Sequence, residues 1–321
     1  DADGNITMER EPLTLENLSL AIAAKTSGGY VICQVERVAE TGSLDSRKIK
    51  VPGVLVDAVV VAPPDQHTQT WSTPYNPSLS GEIRTPLELE PTMPLTDRKV
   101  IARRAAMELS TDSVVNVGLG LPETVGSIVG EERVQDLGTM TVDPGVFGGV
   151  PLGGGDFGAS LNPEAVIDHG YAFDFIDGGG LDTVFLGVGQ ADRHGNVNVS
   201  RFAGRLAGCG GFINLTQGSK RVVFMTGFTA GGFRAEVADS ALSIVQEGKV
   251  RKFIPEVEQV TFSGRRAAEE GKEVLFVTER CVFTLTPDGL ALSEVAPGVD
   301  VERDILAHLD FELATADPSP M

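Results

Sequence analysis

The chain has 321 residues, of which 45 are acidic and 26 basic, giving a formal net charge of −19. That carboxylate surplus argues against nucleic acid, which is bound by clustered Lys and Arg, and against docking on an anionic membrane. Hydrophobic residues make up 41% and charged residues 22%, as in an ordinary globular protein, and the length suits about two domains of roughly 150 residues. Three cysteines (Cys33, Cys209 and Cys281) suggest neither a disulfide framework nor a zinc site, and a reducing cytoplasm is the expected compartment. The longest apolar run, Val54 to Pro63, is broken by Asp57 and is far shorter than the ~20 residues of a membrane span.

In chain order, Leu15, Leu18, Ile22 and Ala23 stand at helical spacing within residues 14–26, and Gly28 follows as a stop. Tyr30 to Val38 reads as a strand, and Val54 to Val61 as a second strand of the buried type. Residues 63–97 are rich in Pro, Ser and Thr and read as loop and linker. Arg98 to Leu109 is expected to be a helix, Val114 to Val117 a short strand, and Pro122 onward another helix. Asn162-Pro163-Glu164 has the cap and first-turn pattern of a helix start. Thr183 to Val188 and Arg221 to Met225 are expected strands. Two hairpins are expected, turning at Ala238-Asp239-Ser240 and near Glu279-Arg280, and residues 301–309 read as a last helix. Alternating strands and helices mean an α/β sheet protein.

A faint internal repeat runs through the chain. Ala2-Asp3-Gly4-Asn5-Ile6 resembles Ala191 to Val197 with two residues inserted, Gln34 to Gly42 aligns with Glu256 to Gly264, and Val51-Pro52-Gly53 matches Ala296-Pro297-Gly298. Three islands in one order imply two homologous halves. The second has about ninety residues before its first island, and the first has none. The expected organisation is therefore residues 1–97 as the later part of an incomplete first half plus linker, and residues 98–321 as a complete second half with extra hairpins. The opening Asp1-Ala2-Asp3, without Met, agrees with an upstream segment.

The usual catalytic machinery is missing from the sequence. His67, His169, His194 and His308 show no metal-ligand spacing and read as surface or capping residues, so no metal is expected. Gly218-Ser219-Lys220 lacks the rest of a P-loop, and Gly118-Leu119-Gly120 lacks the third glycine and the acid of a dinucleotide fingerprint. Glycine, by contrast, is abundant at 38 residues, about 12% against a usual ~7%. It clusters around Gly118 and Gly120, Gly148 and Gly149, Gly179 and Gly180, Gly210 and Gly211, and in the Phe228 to Gly231 block. Each block alone reads as a turn. Five of them interleaved with strands point to a ligand site, because bare amides at strand ends hold phosphate or an oxyanion without many cations.

Residues 116–311 resemble the C-terminal half of the family I coenzyme A transferases, the acetate/propionate group. The matching words include VNVGLGLPE, GGVPLGGGDFGASLNPEA, FDFIDGGGLD, GNVNVSRF, AGCGGFINLTQ, FTAGG, VEQVTFSG and TERCVFTL. DADGNIT and QVERVAETGSL resemble the later part of the family's first half, so the resemblance covers nearly the whole chain. It implies a fold of two homologous open-sheet halves. It also implies a ping-pong reaction in which a glutamate carboxylate forms an acyl anhydride and then a CoA thioester. Coenzyme A is then a substrate, with no tightly bound cofactor, and the partners are acyl-CoA and small carboxylates.

The family's glutamate stands where this chain has Asp143, within Thr141-Val142-Asp143-Pro144-Gly145. The resemblance further implies Asn116 and the amide of Gly210 or Gly211 as oxyanion donors. Gly118, Gly120, Gly148, Gly149, Gly179, Gly180, Phe228 and Gly231 are the candidate CoA contacts. Aspartate is one methylene shorter, and a misplacement of about 1 Å can cost about 10²-fold. Three readings follow: a slow CoA-transferase, an acyl-CoA or ester hydrolase with water in the gap, and a non-catalytic CoA-binding subunit. The expected assembly is a homo-oligomer or a complex with an N-terminal fragment or second subunit.

Overall fold

The structure is a computed structural model that describes residues 1–86, 92–202 and 204–321. Its helices are α1 (Asn17–Thr26), α2 (Asp97–Ala106), α3 (Thr124–Glu132), α4 (His169–Asp177), α5 (Phe212–Gly218) and α6 (Gly264–Glu269). The chain forms two compact units. Asp1–Pro86 and Thr141–Asp174 make the first, and Leu87–Met140 and Phe175–Met321 the second. This spatial division differs from a boundary at residue 97, because residues 141–174 fold with the N-terminal stretch. Of the expected linker, residues 87–91 lie outside the described residues.

The second unit is built on a sheet. Ser113–Val117, Leu181–Gly187, Ser219–Met225 and Glu273–Val277 run parallel in that spatial order. Cys281–Thr286 and Gly289–Val295 continue it antiparallel, and Ala316–Pro320 lies parallel to the latter. The parallel strands are apolar on both faces, as helix-covered strands must be. Ile101, Ala102 and Ala105 of α2 and Val125, Ile128 and Val129 of α3 bury against Val115, Val117, Phe185, Val223 and Met225. Arg104 of α2 ties this layer to the sheet through two bonds of 2.6 Å to Glu294. The expected turn at Asp239-Ser240 is present: both residues have positive φ (52° and 60°) and join Arg234–Ala238 to Ala241–Gln246. That is the conformation of a two-residue hairpin loop.

The first unit has a small core of Ala21 from α1 with Val31 and Val51. Its parallel strands Ile32–Val35 and Ala58–Val61 form a two-stranded sheet. The expected buried strand from Val54 is corrected here: Gly53–Leu55 is a 3₁₀ turn, Val54 is 83% exposed, and Val60 and Val61 are over half exposed. Two strands offer too little sheet to cover both faces. The helix expected from residue 14 begins at Asn17, because Leu15 has φ +53°. The expected helix start at Asn162 is also corrected. Asn162 has φ +57°, its side chain bonds both backbone groups of Thr85 (2.8 and 2.9 Å), and Ala165–Val166 pairs with Val146–Phe147 as a strand. The asparagine satisfies a neighbouring loop instead of capping a helix. At the far end, residues 301–308 form a π turn and a 3₁₀ turn in place of a regular helix.

The repeat is structural, in a different register from that of the matching words. The Asp1 carboxylate accepts from the N–H groups of Asp3 (3.1 Å) and Asn5 (2.9 Å) and from Asn5 Nδ2 (3.2 Å); Asn5 Oδ1 accepts from Gly53 N at 2.9 Å. In the second unit, Asp192 accepts from His194 N (2.9 Å), Asn196 N (3.1 Å) and Asn196 Nδ2 (3.0 Å), and Asn196 Oδ1 accepts from Gly264 N at 3.0 Å. Asp1–Asn5 therefore matches Asp192–Asn196 with no insertion, and Gly53 matches Gly264 instead of Gly298. A Cβ on Gly53 would stand 2.0 Å from Asp3 O, and one on Gly264 2.0 Å from His194 O, so both sites admit only glycine. Gln34 and Val35 lie in a strand whereas 256–260 are irregular, so that word match is not a structural equivalence.

Candidate functional site

Asp143 stands at the tip of a hairpin in the first unit. Val142 and Thr141 pair antiparallel with Val146 and Phe147, leaving the three-residue loop Asp143-Pro144-Gly145. Gly145 closes it, donating from N to Val142 O at 3.0 Å with φ +113°. Its carbonyl accepts from Ile167 N at 2.9 Å, and a Cβ there would sit 2.2 Å from Ile167 O. The loop is thus locked by its own chain and by the segment leading into α4. Asp143 is half-buried, and burial pushes its carboxyl above the ordinary value, opposed by its own backbone N–H and by the charge of His169. A partly desolvated carboxylate of raised basicity is a better nucleophile than a fully hydrated one.

In the second unit, Asn116, Gly118 and Gly120 lie at or just past the end of Ser113–Val117 and Phe228 just past Ser219–Met225, at the strand ends where open α/β sheets bind ligands. Asn116 is fully buried in Ser113–Val117, in register with Val184. Gly118 follows, its N–H bonded to Phe185 O at 2.9 Å; a Cβ would meet Leu186 at 2.8 Å, so this glycine serves sheet packing. Gly120 donates to Glu123 at 3.2 Å before α3. Gly210 and Gly211 precede α5, and no atom lies within 4 Å of where a Cβ on Gly210 would be. Phe228 is 1% exposed, just past Ser219–Met225, and Gly231 follows the short strand Thr229–Ala230.

No protein-family model matches the sequence. The chain is 50% identical to the caffeate CoA-transferase of Acetobacterium woodii over 318 residues, 97% of this chain and 60% of the relative. The crystal structure of the acyl-CoA transferase YdiF apoenzyme from Escherichia coli O157:H7 superposes with a TM-score of 0.90 at 41% identity, covering 99% of this chain and 60% of that one. The chain belongs to the family I coenzyme A transferases. It spans about 60% of the length of the relatives it matches. The same YdiF enzyme in thioester complex with CoA superposes equally well, with a TM-score of 0.90 at 40% identity, over 100% of this chain and 60% of that one.

Two of the glycine blocks pack closely against their own surroundings. A Cβ on Gly148 would strike the Glu164 side chain at 2.5 Å, and one on Gly149 would lie 2.2 Å from Leu161 O. Gly179 and Gly180 end α4, their N–H groups bonded to Ile176 O and Phe175 O at 3.0 Å each. The basic residues near the blocks are mostly committed: Arg221 to Glu108 and Glu273, Lys220 to Asp182, and Arg251 to Asp310. Among the described residues no group of three or more His, Cys, Asp or Glu is arranged to hold a metal, and no helix is long and apolar enough to cross a membrane. A cavity of about 910 Å³ in the first unit is lined by Arg10, Glu36, Cys33 and Tyr75 among others, and by none of the candidate residues.

Sequence reasoning missed a buried ionic cluster in the second unit. Glu279 and Arg280 are fully buried on the turn after Glu273–Val277, at the same end of the sheet as Asn116. Glu279 accepts from Phe228 N at 2.9 Å and from Arg280 Nε at 2.8 Å. Arg280 also bonds Glu247 (2.9 and 3.1 Å) and Asp304 O (2.7 Å), and lies over the Phe228 ring at 4.5 Å. Burial pushes the Glu279 carboxyl up, and pushes nearby Lys252 down to about 8. The cluster fixes Phe228 and its loop by charge-assisted bonds. An adjacent Glu-Arg pair between two apolar runs was the available clue, since charges there have no route to water.

Proposed function

We propose that this chain carries the nucleophile half of an enzyme that transfers coenzyme A from a short-chain acyl-CoA to a carboxylic acid. The single observation that carries this reading is the superposition, along the whole chain, on an acyl-CoA transferase crystallised as a CoA thioester. In the proposed cycle the Asp143 carboxylate attacks the thioester carbonyl. The tetrahedral intermediate collapses, the C–S bond breaks, and an acyl-aspartyl anhydride forms with release of CoA thiolate. The thiolate then attacks the Asp143 carbonyl of the anhydride, expelling the first carboxylate and leaving an aspartyl-CoA thioester. An incoming carboxylate attacks this thioester to give a new anhydride and thiolate. The thiolate takes the acyl group as the new acyl-CoA, and Asp143 returns as carboxylate.

Each tetrahedral oxyanion needs fixed donors. Asn116 and the amides of Gly210 and Gly211 are the groups we assign to it, and Gly120, Phe228 and Gly231 the remaining contacts we assign to CoA. The acidic composition and three unpaired cysteines fit a cytoplasmic enzyme. The exposed Ile32, Val60 and Val61 fit an assembly in which further polypeptide covers them. The test is a mass-spectrometric time course with propionyl-CoA, with and without acetate. Acetyl-CoA appearing only with acetate supports transfer. Free CoA released at one rate in both tubes overturns it in favour of hydrolysis.

A further inference from the structure

The cavity of the first unit follows the edge of a strand. The consecutive residues Val31 to Val38 all line it, Ile32–Val35 among them. Successive side chains of a strand point to opposite faces, so an unbroken run of lining residues marks an edge and not a face. The other edge is taken by Ala58–Val61, in parallel, with Ala58 and Ala62 donating from N to Val31 O (3.2 Å) and Val35 O (2.9 Å). Val31 and Val35 thus direct their carbonyls to that neighbour. Ile32 and Gln34, of the opposite parity, direct their N–H and C=O groups into the cavity.

The second copy of the repeat shows what belongs on that edge. Beside each Asp–Asn–Gly latch stands the same antiparallel contact, Ile6 with Val51 and Val197 with Phe262, the second member two residues ahead of the latch glycine. Each latch glycine lies between the two strands of a parallel pair, Ile32–Val35 with Ala58–Val61 and Ser219–Met225 with Glu273–Val277. Each first strand follows a helix, α1 or α5. Ile32–Val35 therefore corresponds to Ser219–Met225. The remaining edge of Ser219–Met225 is paired in parallel with Leu181–Gly187, which ends five positions before Asp192. There α5 lies over both strands and buries Phe212 and Leu215. In the first unit α1 faces the cavity instead, and its Leu20 is 58% exposed.

We propose that this cavity is a slot for one further β-strand, parallel to Ile32–Val35 and supplied by the part of a family I CoA-transferase that this chain does not span. The walls select an apolar strand of the Leu181–Gly187 type. Ile6, Leu20, Val31 and Ile32 need apolar cover, and the backbone groups of Ile32 and Gln34 need main-chain partners. The polar side asks for no charge, since Arg10 is paired with Glu36 and Glu11 with His67. The slot is independent of Asp143 as nucleophile, and either reading can fail alone.

The test co-expresses the chain with the remainder of the Acetobacterium woodii caffeate CoA-transferase, the part that the chain does not match. Native mass spectrometry should show a 1:1 complex, and NMR-detected hydrogen exchange should slow about tenfold or more at Ile32 and Gln34. Ile32→Pro removes one slot-facing N–H and spares the bonds to Ala58–Val61, so it should weaken the complex about tenfold. Leu20→Glu, at an exposed position of α1, should weaken it similarly and covers the case in which Ile32→Pro does not fold. A second preparation, with a copy of residues 178–191 joined ahead of Asp1 in the register of the second unit, reads the same two amides without a partner chain. Amides of Ile32 and Gln34 that exchange as fast in both preparations as in the chain alone overturn the slot. A dimer of the chain alone that protects these two amides also overturns it, because a second copy is then the occupant.

Discussion

Arg280→Met should be among the most damaging single substitutions in the second unit. Arg280 is fully buried, and its guanidinium faces Glu279, also fully buried, as well as Glu247 and the Asp304 carbonyl. Methionine fills the volume and removes every guanidinium donor, leaving Glu279 as a buried charge held by backbone N–H groups, its own and that of Phe228. Removing one partner of such a pair costs about 3–5 kcal/mol, because the remaining charge keeps its desolvation cost. For a unit of about 200 residues, at about 2–4 °C per kcal/mol, Tm should fall by about 6–20 °C. The loss should shrink on acidification. Glu279 already binds its proton more tightly folded than unfolded, and more so without Arg280, so the folded variant gains protons and stability as pH falls through that titration. Glu279→Gln combined with Arg280→Met should recover at least half of the loss, since a neutral amide still accepts from Phe228. Differential scanning calorimetry on the two single variants and the double variant at two pH values decides it. A fall in Tm under about 2 °C for Arg280→Met, or strictly additive losses in the double variant, would refute the reasoning.

Asp143→Asn should abolish transfer yet raise Tm near neutral pH and not at pH 4. The raised carboxyl makes the folded state the tighter proton binder, so ionising Asp143 costs stability above its titration, and an amide escapes that cost. Equal stability at both pH values in calorimetry would count against it. Asn5→Ala and Asn196→Ala each remove an acceptor for a glycine N–H and a donor to an aspartate, so each should destabilise its own unit by about 1–3 kcal/mol in chemical denaturation. A large loss from one and none from the other would break the structural repeat. Lys252, pushed down to about 8, should acetylate with acetic anhydride at pH 8 much faster than exposed Lys220, read by peptide mass spectrometry. A slower Lys252 would refute its assigned environment.

What the sequence made legible follows the physics of each segment. The parallel strands around Val115, Phe185 and Val223 were readable because helix-covered strands are apolar on both faces, and the Asp239-Ser240 turn because polar residues there separate two runs of alternating character. The strand from Val54 was not, since an apolar run looks the same whether or not a neighbour covers it. Asn162 misled because the pattern that caps a helix also satisfies an adjoining loop, and only the fold brings Thr85 within reach. The repeat words were misaligned because two-residue matches are cheap. The Asp–Asn–Gly latch that defines the true register joins residues far apart in sequence, Asn5 with Gly53 and Asn196 with Gly264. At the site, Asp143 emerged by resemblance. The Glu16–His169 bond in the same unit had no local pattern to announce it, being closed across 153 residues of chain.

The central claim is that Asp143 becomes covalently bonded to coenzyme A. Intact-protein and peptide mass spectrometry after mixing the protein with acetyl-CoA tests it directly. A CoA adduct on the peptide containing Asp143, lost on adding acetate and absent from Asp143→Ala, is the predicted result. An adduct on another residue, or full turnover by Asp143→Ala, would contradict it.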